Sequence, residues 1–315
     1  MARFIVRRLF AMVLVMLVIS VITFLLFEAI PNGNPAFRLA GRNATPQQIH
    51  QVEVEYGFNK PIYVQYYRSM KGIFTGSSES LLQGYNVDSQ IWQDLPVTLW
   101  LAFGATIIWM GAAILIGTIT AVKAGRFADR ALNVLAMIGV SFPPFFLGVV
   151  FLYYLSYKAG WFPISGYTPI AHGVWPWAHH LILPWITLAI LYVGFYSRVL
   201  RSNILDTINE DFVRTARAKG LSERQVLVRH VLRNSLIPII SLWGLDFAAV
   251  IGGAAILVES VFNLPGVGLL TYNSIGKLDV LPILVVVMLT AFAVVLLAAV
   301  IDILYAYLDP RIRLS

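Results

Sequence analysis

The sequence predicts an all-α integral membrane protein of six transmembrane helices with both termini on the cytoplasmic side. Three observations carry this. The 315 residues are 58% hydrophobic and only 12% charged, against about 25% charge in an ordinary soluble domain, and the mean hydropathy is +0.76. The charges are also clustered. Segments 9–27, 95–122, 131–157 and 181–197 contain no Asp, Glu, Lys or Arg, while 234–258 contains only Asp246 and 280–308 only Asp302; each meets or approaches the roughly 20 apolar residues that cross a bilayer as a helix. Finally, segments 1–8, 123–130, 198–235 and 309–315 hold 16 of the 23 Lys and Arg, and the longer intervening segments 29–94, 158–179 and 259–280 hold 7. Basic residues collect in cytoplasmic loops, which puts the first set inside.

The expected helices are 9–29, 96–122, 132–157, 180–202, 236–258 and 281–306, forming one transmembrane domain over 1–315. Between them lie an extracytoplasmic cap loop, 30–95, and a cytoplasmic loop, 203–235. The first helix follows Arg3, Arg7 and Arg8, as a signal peptide would. Its apolar run is longer than the roughly 7–15 residues of such a segment, and Glu28-Ala29-Ile30-Pro31-Asn32 is a poor cleavage site, so it reads as a retained helix. The cap loop is broken by Pro31, Pro35, Pro46 and Pro61, with helical spacing over 46–56.

In the third helix, Pro143 and Pro144 remove two backbone donors and predict a kink. With Ser141 and Phe142 they either line a pathway or form a plain structural bend. The loop that follows carries Trp161, Trp175 and Trp177, suited to the membrane–water interface. It also carries His172, His179 and His180, which read either as a metal site or as interfacial polar groups. In the fifth helix, Ala248, Ala249, Gly252, Gly253, Ala254 and Ala255 let another helix come close, at a subunit seam or a pore wall. Asp246 either faces a pathway or satisfies a buried group. Asp302, near Arg311 and Arg313, reads as a local structural partner.

Several chemistries are excluded. No cysteine is present, so disulfides and thiolate metal sites are impossible. Gly276-Lys277 comes nearest to a phosphate-binding loop, but Thr271 stands where its first Gly belongs and Leu278 where Ser or Thr belongs. No G-x-S-x-G or H-E-x-x-H occurs. The net charge of +7 reflects membrane topology rather than nucleic-acid binding.

The cytoplasmic loop is the most informative segment. Thr207-Ile208-Asn209-Glu210 and Ser222-Glu223-Arg224-Gln225 both have capping-box spacing, and Gly220 sits where a helix ends. The loop therefore predicts two short helices joined at Gly220-Leu221, the first carrying Phe212, Val213, Ala216 and Ala218 among Arg214, Arg217 and Lys219. It reads either as an amphipathic element on anionic lipid or as a docking element for a cytoplasmic partner.

Residues 211–221, Asp-Phe-Val-Arg-Thr-Ala-Arg-Ala-Lys-Gly-Leu, resemble the coupling loop of ABC importer permeases, in the form found in the dipeptide, oligopeptide, glutathione and nickel permeases. Of the general E-A-A triplet and its following Gly, only Ala216 and Gly220 match, and Arg233 replaces a later Pro. The peptide-permease form fits better, its second half supplied by Arg229-His230-Val231-Leu232-Arg233-Asn234. Similar matches run along the chain: Tyr56-Gly57-Phe58-Asn59-Lys60-Pro61 with Gln65-Tyr66 (Asn59 replacing the usual Asp), Leu95-Pro96-Val97-Thr98-Leu99, Ser141-Phe142-Pro143-Pro144-Phe145, Gly160-Trp161-Phe162-Pro163 with Gly166-Tyr167, Glu259 to Gly268, and the tail from Asp302 to Arg313.

The resemblance implies a type I ABC importer permease fold of the B-type subunit in a bacterial inner membrane. It implies a second, different permease, two cytoplasmic ATP-binding subunits that bind ATP and Mg, and an extracytoplasmic substrate-binding protein. It implies no catalytic or metal site in this chain. Phe212, Arg214, Thr215, Ala216, Arg217, Ala218, Lys219, Gly220 and Leu221 would couple to an ATPase. Arg217 and Lys219 would pair with acidic groups there, and Ala216 and Ala218 would permit close approach. Glu259, Phe262, Asn263, Pro265 and Gly266 are placed to meet the binding protein, or form a simple re-entrant loop. Short peptides are the expected substrate, with nickel or glutathione as alternatives. An ion-coupled transporter would need more intramembrane acids than Asp246 and Asp302, and a membrane enzyme would need a polar cluster at one depth.

Overall fold

The computed structural model of the chain describes residues 2–26, 35–41 and 43–308. The expected contacts of Asp302 with Arg311 and Arg313, and the tail motif beyond 308, lie outside them. Among the described residues the secondary structure is helical apart from one isolated bridge, Glu79 to Asn86. Four helices are long and apolar enough to cross a membrane, at Val87–Val122, Val174–Thr207, Ile237–Phe262 and Val280–Val300. A fifth apolar segment is a broken pair, Phe127–Ser141 with Pro144–Lys158, and a shorter one is Phe10–Phe24. The chain divides into two compact units, residues 1–96 with 266–315, and residues 97–265.

The first unit holds α1 (Ala2–Phe24), α2 (Pro35–Ala40), α3 (Pro46–Tyr56), α4 (Ile62–Thr75), the first turns of α5 (Val87–Val122), α14 (Val267–Lys277) and α15 (Val280–Leu308). Thr45 and Gln48 close a capping box at the start of α3, and Gly57 ends it in the left-handed region at φ 76°. Phe24, Met70, Leu284 and Met288 pack α1, α4 and α15 together, and Tyr66 reaches Ser20 at 2.6 Å. The cap segment is thus partly built into the unit's core. Helix α5 begins at Val87 rather than 96. Its first turn is capped by Asn86, whose Oδ1 accepts from Ser89 N at 2.7 Å. It then buries Val87 and Ile91 against Val267, Val285 and Val286, so tertiary packing extends the helix past its apolar run.

The second unit is organised on α8 (Val174–Thr207). Gly194 lies so close to α6 (Phe127–Ser141) that a Cβ there would stand 2.6 Å from the Ala136 carbonyl. At Gly104 a Cβ would enter the ring of Trp185, whose Nε1 donates to the Trp100 carbonyl at 2.9 Å. Helix α8 starts six residues before the expected 180, which puts His179 on the helix together with His180.

The expected kink at Pro143-Pro144 is a complete break of 95°. A residue preceding proline is pushed out of the helical region. Phe142 and Pro143 each precede one, and both are extended, at ψ 133° and 138°. Pro144 then opens α7 (Pro144–Phe151) from its first turn, where a missing N–H costs nothing.

Candidate coupling hairpin and intramembrane polar layer

The hairpin between Thr207 and Ser235 is built from the end of α8 outward. Helix α8 runs on through Thr207, whose hydroxyl donates back to the Asn203 carbonyl at 2.7 Å. The capping box expected at Thr207-Glu210 therefore does not form, because an uninterrupted helix claims the hydroxyl for its own i−4 carbonyl. Helix α9 (Asp211–Ala218) starts instead from Glu210 in an extended conformation, without a side-chain cap. It ends in a Schellman motif. Gly220 takes φ +81°, its N–H donates to the Arg217 carbonyl at 2.9 Å, and Leu221 N–H donates to the Ala216 carbonyl at 3.4 Å. The second capping box, Ser222 with Gln225, is formed and opens α10 (Glu223–Gln225). A π-helical segment, Val226–Leu232, and α11 (Arg233–Ser235) return the chain to the membrane.

Spacing decides which residues this hairpin shows. Val213, Ala216, Val226 and Val231 face the core and are buried, and Leu221 packs against the same cluster. Phe212 stays 42% exposed, beside exposed Arg214, Thr215, Ala218, Lys219 and Gly220. Two of the expected coupling residues have contacts within the chain. Ala216 sits under its own helix, so close approach by a partner falls to Ala218. Arg217 makes a two-pronged ion pair with Glu223 of the same hairpin, at 2.9 and 3.2 Å, and that pair braces the turn.

Two features missed in the sequence hold the hairpin's root. Arg201 of α8 donates to both carboxylate oxygens of Asp129 of α6, at 2.9 and 2.8 Å, and Asp129 also accepts from Gly125 N and Asn133. Ser235 of α11 is stapled to α8 through the Asn203 carbonyl and the Thr207 hydroxyl, both at 3.2 Å. Residues 72 positions apart give no periodic signal that would pair them.

Within the membrane, Asp246 lies on α12 (Ile237–Ala249). The fully buried Tyr196 of α8 donates to its Oδ2 at 2.6 Å. Trp109 and Tyr192 surround Tyr196, with ring centroids 6.5 and 6.4 Å away. A π-helical segment, Val250–Ala254, follows α12 and leads into α13 (Ala255–Phe262).

At the far end of that span, Glu259 is fully buried and accepts from the Thr98 hydroxyl at 2.7 Å. Phe262 and Gly266 are also buried, whereas Asn263 and Pro265 are exposed. Glu259, Phe262 and Gly266 are thus packed inside their own chain, and Asn263 and Pro265 form the outer face of this segment. Asn263 ends α13 at φ 50°, a left-handed position that asparagine tolerates.

His179 Nε2 lies 2.8 Å from the Trp161 carbonyl and His180 Nδ1 2.9 Å from that of Pro176. Among the described residues no three His, Cys, Asp or Glu come together as metal ligands would. In the first unit, Ser80 donates to the buried Asp279. Burial, and after it the Asp279 charge, push the Tyr85 phenol above its usual value.

Several apolar helical segments, a broken span and a structured hairpin of mixed polarity define a multi-pass membrane protein. Comparison with known proteins supplies its family. Residues 113–314 match the model for the binding-protein-dependent transport system inner membrane component, and residues 1–102 match that family's N-terminal membrane component. A probable peptide ABC transporter permease of Sinorhizobium fredii is 37% identical over 99% of this chain and 100% of its own length. A putative peptide transport system permease of Brucella abortus is 34% identical and a glutathione transport system permease of Salmonella paratyphi A 35%, each over 99% of both chains. The chain belongs to the family of binding-protein-dependent transport system inner membrane components: it is a permease subunit of an ABC importer, multi-pass in the bacterial inner membrane.

Proposed function

We propose that this permease forms half of the translocation pathway of an importer for short peptides. It pairs with a second, homologous permease. Two cytoplasmic ATP-binding subunits bind and hydrolyse ATP with Mg, and an extracytoplasmic protein delivers the peptide. This chain binds no nucleotide and carries out no catalysis; it converts closure of the ATPases into alternating access. The observation that carries the coupling role is the hairpin. It is locked by a Schellman turn and a capping box and braced by Arg217–Glu223, yet it leaves Phe212 exposed among basic residues. An aromatic side chain left open on a rigid, basic element outside the bilayer is suited to a pocket on a partner. Phe212, Arg214, Thr215, Ala218 and Lys219 make that contact, and Gly220 shapes the turn behind it.

Peptides are favoured over nickel because relatives carry peptide names over their full length and the described residues gather no metal-ligand cluster. The glutathione permease relative supports a second reading within the same chemistry, since glutathione is itself a small peptide. The break at Ser141-Phe142-Pro143-Pro144 and Asp246 line the pathway. Asn263 and Pro265 meet the binding protein. Half-buried small residues of the 250–254 π segment, Gly252, Gly253 and Ala254, where a Cβ on Gly253 would meet nothing within 4 Å, suit the seam with the second permease. The test is uptake of labelled di- and oligopeptides, glutathione and nickel by cells with and without this gene. Loss of peptide uptake supports the proposal. Loss of nickel uptake with peptide uptake intact overturns the substrate.

A further inference from the structure

We infer that Asp246, held by Tyr196, is an ammonium-recognition point in the pathway that grips the amino terminus of the passing peptide; this rests on the peptide reading above. Asp246 lies nine residues, about 14 Å along the helix axis, into a 26-residue span, and therefore well inside it. A carboxylate there is costly and has to face protein or water rather than lipid. Among the described residues its side-chain hydrogen bond is through Oδ2, which accepts from Tyr196 at 2.6 Å. The ion pairs among the described residues do not include it, and the side chain is only partly buried. Among the described residues the charge is thus oriented by Tyr196 and meets no cation.

The surroundings select the kind of cation. A metal ion needs several oxygen or nitrogen ligands, and Asp246 belongs to no cluster of metal-ligating side chains among the described residues. What surrounds it is aromatic. Tyr196 touches it directly. Tyr192 and Trp109 stack behind Tyr196, 4.5 Å apart. Trp243, one helical turn earlier on the face of Asp246, pairs with Phe247 at 5.6 Å. Aromatic walls around one carboxylate favour an organic ammonium. In a peptide pathway the organic ammonium is the amino terminus of the substrate.

The experiment uses the complete transporter in proteoliposomes with its binding protein. It compares a labelled tripeptide with its N-acetyl form, each at concentrations that saturate the binding protein. In Asp246→Asn, the maximal uptake rate of the free-amine peptide should fall about tenfold or more, as expected for loss of one charge-assisted hydrogen bond, with KM unchanged. Uptake of the acetylated form should be unaffected, and Asp246→Glu should keep at least about half of the rate. Equal uptake by Asp246→Asn and wild type overturns the inference, as does an equal fall for both substrates. Loss of the second permease from the purified Asp246→Asn complex also overturns it, and assigns the charge to a subunit seam. A wild-type complex that moves no peptide overturns the peptide reading itself, which is a separate result.

Discussion

Replacing Gly220 by valine tests whether the hairpin's turn transmits force. The left-handed conformation at φ +81° is free for glycine. For an L-residue it costs roughly 1–2 kcal/mol, with β-branched residues at the upper end. Space is not the problem, since a Cβ at this position would meet nothing within 4 Å; the whole penalty is backbone strain. If the chain escapes the strain by opening the turn, the bonds from Gly220 N to Arg217 and from Leu221 N to Ala216 are lost, at about 0.5–1.5 kcal/mol each. A strain of about 2 kcal/mol shifts the closed hairpin's population roughly 30-fold. The buried spans are untouched, so insertion and pairing with the second permease should stay at wild-type level. The assay is substrate-stimulated ATPase activity of the purified complex relative to its basal rate, measured for Asn, Ala and Val at position 220. Coupling should decline in that order, because asparagine tolerates the left-handed region and valine does not. Wild-type coupling in Gly220→Val, or equal loss in all three, would refute the reasoning.

Phe212→Ala should leave thermal stability within about 0.5 kcal/mol, since the ring is largely outside the core, yet lower retention of the ATP-binding subunits on affinity-purified permease. Arg201→Ala strands the buried Asp129 carboxylate and should cost about 3 kcal/mol, read as a lower melting temperature in detergent; an unchanged midpoint would remove the clamp between α6 and α8. Gly104→Ala drives a methyl group into the Trp185 ring and should destabilise by about 1–3 kcal/mol, visible in the same melt and in Trp fluorescence.

Much of this was legible in one chain. Charge-free runs located the apolar helical segments, because a bilayer leaves few other places for such runs. Ser222-Glu223-Arg224-Gln225 and Gly220 marked the hairpin's cap and its turn, because both are short-range backbone chemistry. Thr207 misled for the same reason in reverse: its spacing suited a cap, but α8 did not stop there. Glu259 read as an exposed contact because it borders a Pro- and Gly-containing turn, and its partner Thr98 is 161 residues away.

The sequence by itself determined the membrane class, the presence of long apolar helical segments and a basic hairpin, all consequences of local composition and spacing. Only the tertiary structure decided which face of each element is covered. It turned Ala216 inward, tied Arg217 to Glu223, buried Glu259 on Thr98 and set Tyr196 against Asp246. Those outcomes depend on which distant side chains arrive at the same place, and no local pattern encodes that.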